Sequence, residues 1–191
     1  MNLKKIETYF QITNVATISR RYFIIGFFDG LITVAGMIIG AFISGHNDSE
    51  LIIPVGFATA LALGISSSWG AFEAERIEQK ALKKRRERVI ISRLEGTVLD
   101  EAHKFATLFS SFVHGIAPIL SAIILILPYL FFSPFEAFEA SMILCSSLIF
   151  LLGMVMGKMA DENVFINGIR MLILGILVLL AVLILNPGHV I

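Results

Sequence analysis

Long apolar runs broken by short polar interruptions dominate the chain, and five of them are long enough to cross a bilayer. The first, residues 22–44, reads YFIIGFFDGLITVAGMIIGAFIS. The others cover residues 51–72, 105–131, 140–157 and 168–185, and each exceeds or approaches the ~20 residues that a spanning helix needs. Residues 1–19 differ. Ile6, Tyr9, Phe10 and Ile12 recur at helical spacing among Lys4, Lys5 and Glu7, which predicts an amphipathic helix on the membrane surface. Residues 73–104 form a charged segment with no turn signal before Gly96, so the second span is expected to continue into the cytoplasm as a solvated helix. The whole is expected to be a single all-α integral membrane domain over residues 1–191.

Composition agrees with the pattern. Of 191 residues, 57% are hydrophobic and 16% charged, and mean hydropathy is +0.85, well on the apolar side of soluble domains. The 15 Lys and Arg residues are segregated although net charge is zero. They sit before the first span, between the second and third, and around the loop between the fourth and fifth. With five spans all of these positions fall on one side. The positive-inside rule then places the N-terminus in the cytoplasm and the C-terminus outside. The expected location is the cell membrane, with multiple passes. The single Cys145 offers no disulfide framework.

One residue breaks the first run. Asp29 lies about 12 Å along the helix from Arg21, inside the hydrocarbon layer. Asp is too short to snorkel, and an unpaired charge at that depth costs on the order of 2.5–3.5 kcal/mol or more. Gly26, Asp29, Gly30, Thr33, Gly36 and Gly40 fall within an arc of about 120° that includes two small-xxx-small pairs. The acid is therefore expected in a helix–helix seam, as a functional carboxylate or as a hydrogen-bonded structural one. The second span carries a comparable small-residue face with Gly56, Ala60 and Ser67. In the third, Thr107, Ser110, Ser111, His114, Pro118 and Ser121 make a polar stripe suited to a protein interior or a wet path. Pro118 is expected to kink that helix and free a carbonyl near His114. His114 is either a proton carrier or ligand, or a structural histidine. No nucleophile–base constellation, phosphate loop, HExxH or CxxC occurs, so an enzyme is not expected. The basic run lacks the aromatic interleaving of nucleic-acid binders.

The segments GFFDGLITVAGMIIGA, GISSSWGAFEAE and FSSFVHGIAPILSAIILILPYLF, in this order, resemble the first three helices of the vacuolar iron transporter family. The resemblance implies a short, prokaryotic-type member: a homodimer of five-helix subunits that moves ferrous iron, manganese or a similar divalent metal out of the cytoplasm in exchange for protons. The metal is substrate, and no cofactor is implied. It implies a translocation path at the dimer interface through Asp29 and past Ser67, and Gly30, Thr33 and His114 are the further candidates along that path. Ser67 stands where that family carries a methionine. A hydroxyl is a harder ligand than a thioether, which leaves manganese or another divalent ion open beside iron. The family's larger members hold metal on a glutamate-rich cytoplasmic domain. Here Glu73, Glu75, Glu78 and Glu101 are the corresponding candidates, beside Asp29, in a reduced version of it. Gly26, Gly30, Gly36, Gly40, Gly56 and Ala60 are the candidates for dimer or helix packing. The alternative reading is a non-transporting membrane protein whose basic cytoplasmic helix binds a partner or anionic lipid.

Overall fold

The computed structural model describes residues 3–90 and 94–185, and among these every regular element is helical. Arg93 of the basic segment and the first two residues of the amphipathic stretch lie outside the described residues. The elements are α1 (Leu3–Thr13), α2 (Val15–Ile43), α3 (Ser49–Ile90), α4 (Val98–Ile126) followed by a 3-10 turn (Leu127–Leu130), α5 (Pro134–Met159) and α6 (Val164–Leu185). Five helices, α2 to α6, are long and apolar enough to cross a membrane, as the apolar runs predict.

Helix boundaries differ from the expected ones for identifiable reasons. The amphipathic stretch ends at Thr13, not residue 19, because Asn14 adopts a left-handed conformation (φ 50°). Its carbonyl then accepts the amides of Thr17 and Ile18, starting α2 seven residues before Tyr22. The expected loop at residues 132–139 is mostly helix. Ser133 donates its amide and its hydroxyl to the Glu136 carboxylate, and Pro134 fills the first helical position. Asn163 caps α6 in the same spirit, its side-chain oxygen accepting the amides of Phe165 and Ile166. At α4 the Thr97 hydroxyl accepts the Asp100 amide, so the helix starts at Val98, seven residues before Phe105. As expected, α3 continues without a break from its apolar half into the charged segment. α4 likewise runs without interruption through Pro118.

The chain divides into two compact units, Met1–Gly26 with Gly64–Ala117 and Phe27–Leu63 with Pro118–Ile191. In the first, α1 lies on α4 through Tyr9 and Phe10 against Phe105 and Phe109, with ring centroids 5.5–6.0 Å apart. The Tyr9 hydroxyl donates to Glu101 at 2.6 Å. Gly115 lets α4 approach the backbone of α3, where an added Cβ would lie 2.8 Å from the Gly64 carbonyl oxygen. In the second unit the same device joins α5 to α6 at Gly153, against Asn167 and Gly168, and seats Gly56 against Ile126. Small residues replace the hydrophobic effect as the means of helix association where both alternatives are apolar.

Candidate functional site

Gly26 and Gly30 turn one side of α2 toward α4. A Cβ on Gly26 would sit 2.8 Å from the carbonyl oxygen of His114, the acceptor that Pro118 leaves without its helical amide. A Cβ on Gly30 would meet Pro118 Cα at 2.6 Å and its carbonyl oxygen at 2.7 Å. This seam lies within one chain, and it corrects the expectation that glycines and acid share a seam. Asp29 is exposed, as are Ile25 one turn before it and Thr33 one turn after. Among the described residues no hydrogen bond or ion pair reaches Asp29. Gly36 has only ordinary contact, 3.6 Å from a Val182 methyl to an added Cβ, and Gly40 is half-buried.

The polar stripe of α4 points inward, as its periodicity predicts: Thr107, Ser110, Ser111 and Ser121 are all buried. Their hydroxyls are satisfied locally, Ser110 and Ser111 on the Thr107 carbonyl and Ser121 on that of Pro118. His114 is half-buried and reaches across to α2, with Nδ1 2.8 Å from the Tyr22 carbonyl oxygen. A carbonyl only accepts, so Nδ1 carries the proton and Nε2 is the ring's remaining acceptor. The Tyr22 ring packs beside that imidazole at 5.1 Å, and its hydroxyl donates to Glu75 at 3.1 Å. Glu75 is only 6% exposed. Glu75, Tyr22 and His114 thus form one connected polar group at the charged end of the helices. Tyr22 escapes the sequence reading; an aromatic hydroxyl at a span boundary is the available signal.

The other acidic candidates scatter. Glu73 is held by Arg76 at 2.6 Å, Glu101 by Tyr9, and Glu78 is exposed. Among the described residues no three His, Cys, Asp or Glu side chains converge as a metal site would require. Within a single chain, then, Asp29, Glu73, Glu75, Glu78 and Glu101 are not gathered. Ser67 is half-buried, one residue from Ser68, which packs on Gly115. Asp29 and Thr33 belong to one compact unit, Ser67 and His114 to the other.

Five apolar spans, glycine-mediated packing and a carboxylate in the first span define a multi-pass membrane protein with an unusual intramembrane acid. Residues 20–102, which hold the motifs of the first two spans, match the VIT family, so this stretch of the chain is similar to that family. The matched stretch includes Asp29, Ser67 and all four candidate glutamates, while His114 lies beyond it. An uncharacterized protein of Methanocaldococcus jannaschii is 28% identical over 154 residues, covering 79% of this chain and 80% of its own length.

Proposed function

We propose that the protein carries divalent metal ions, ferrous iron or manganese, out of the cytoplasm in exchange for protons, through a path formed where two copies meet along α2. One observation carries this reading: the Asp29 carboxylate is exposed on the flank of a spanning helix, without a partner among the described residues. Facing lipid tails it would be penalised, so a second chain is the economical cover. Pairing around a two-fold axis sets Asp29 against its own copy. Two carboxylates at close range cannot both stay ionised unless a cation lies between them. Metal entry then expels the shared proton and metal exit takes it back, which couples the two fluxes.

The remaining residues have distinct roles in this scheme. Thr33 and Ser67 supply hydroxyl oxygens and Gly30 leaves room for backbone approach. Glu75, screened from water and tied to Tyr22, receives the ion from the acidic helix ends at Glu73, Glu78 and Glu101. His114, with Nε2 as acceptor, relays the proton. The positive-inside bias sets the N-terminus and the long end of α3 in the cytoplasm.

The test is flux into proteoliposomes containing a metal-quenched dye and a pH dye. Asp29→Asn is expected to reduce Mn(II) or Fe(II) flux at least tenfold and abolish the coupled pH change, with Asp29→Glu retaining part of both. Undiminished flux in Asp29→Asn would remove the acid from the mechanism.

A further inference from the structure

The long end of α3 and the first turns of α4 enclose a cavity of about 530 Å³, within the range of small-molecule sites. It belongs wholly to the first compact unit and is separate from Asp29. Two side-chain contacts join these helices. Lys83 pairs with Asp100 at 2.9 Å, and Arg86 Nη1 donates to His103 Nε2 at 2.7 Å. The lining changes character along its length. At the end where the apolar halves of the helices begin, the walls are Phe72, Thr107 and Leu108, and Leu108 is 63% exposed. About one helical turn on come Arg76 from α3 and Lys104 from α4, and about two turns on Lys80, then Lys83 and Arg86.

Charge in the cavity is unbalanced. Five cations line it against Glu95 and Asp100, and Asp100 is already shared by Lys83 and Lys104. Arg76 is answered by Glu73. Among the described residues Lys80 and Arg86 have no carboxylate partner. Arg86 instead donates to an imidazole, a neutral acceptor that orients the guanidinium without cancelling its charge. The cavity walls are mainly apolar and the exposed cations Lys80 and Arg86 edge them, an arrangement that matches a molecule with an anionic head and apolar chains.

We infer that this cavity binds an anionic phospholipid, with its phosphate between Lys80 and Arg86 and its acyl chains leaving along Phe72 and Leu108. Arginine and lysine at such a boundary recognise phosphate headgroups, and a basic pocket between spanning helices is suited to them. The occupant braces the charged extension of α3 against α4 beside the Lys83–Asp100 ion pair. This reading does not depend on metal transport.

Native mass spectrometry of the purified full chain, delipidated and then titrated with phosphatidylglycerol or phosphatidylcholine, tests it. The wild type is expected to retain phosphatidylglycerol at least tenfold better than phosphatidylcholine. Lys80→Gln with Arg86→Gln is expected to lose that preference about tenfold, while Lys84→Gln with Arg85→Gln, exposed and outside the cavity, keeps it. Size-exclusion profile and helical circular dichroism check folding; if the double variant fails them, the exposed Lys80→Gln alone carries the comparison. Equal retention of phosphatidylcholine, or equal loss in the Lys84/Arg85 variant, would overturn the proposal, the first leaving an apolar groove and the second diffuse surface charge. Complete displacement of phosphatidylglycerol by millimolar inorganic phosphate would overturn it too, in favour of a site for the free anion.

Discussion

Gly30 and Gly36 sit six residues apart on α2 and look alike in the sequence, yet their surroundings differ. The Cβ of Gly30→Ala would collide with backbone atoms of Pro118, which cannot rotate away, whereas Gly36→Ala meets only a methyl of Val182 at 3.6 Å. Overpacking of the first kind costs about 1–3 kcal/mol. Gly30→Ala is therefore expected to lower stability by that amount in reversible unfolding from mixed micelles, and Gly36→Ala by less than about 0.5 kcal/mol. Equal effects would mean that α2 does not lean on Pro118. At Ser67 the expected change is in selectivity. Replacing the hydroxyl with a thioether, Ser67→Met, should shift competition assays from Mn(II) toward softer divalent ions such as Co(II) or Zn(II), and an unchanged ranking would take Ser67 off the path.

Single residues also decide where the helices begin. α1 and α2 together read as one surface stretch and a later span, because Arg20 and Arg21 look like a membrane boundary. The actual break is Asn14, whose left-handed backbone conformation costs a side chain with a Cβ about 1–2 kcal/mol unless, like Asn, it can satisfy itself locally. Asn14→Gly should leave thermal unfolding within about 2 °C of wild type, and Asn14→Ala should lower it measurably. The starts of α4, α5 and α6 are legible in principle. Thr97, Ser133 with Glu136, and Asn163 are all capping signals. In the sequence they are outweighed by acidic or polar composition that reads as loop.

For the molecule as a whole, the proposed pairing covers the exposed flank of α2. In a Cys145→Ala background, which removes a buried thiol, Thr33→Cys should give a covalent dimer with a short bis-maleimide reagent in membranes. Ile173→Cys on α6 should not, although Ile173 is 51% exposed. Equal crosslinking at both positions would indicate random collision.

Hydropathy is a one-dimensional quantity, and the features it governs are legible in the sequence: five spans, the long charged end of α3 and the inward polar stripe of α4. Which face of α2 meets which neighbour is not one-dimensional. Gly26, Asp29 and Gly30 share an arc, but only the packing of α2 on α4 across about ninety residues of chain puts the glycines inside and leaves the acid outside. The union of Glu75, Tyr22 and His114, and the basic cavity between α3 and α4, arise in the same way. The first joins residues up to 92 apart and the second lies between consecutive helices, and both depend on how closely helix backbones approach.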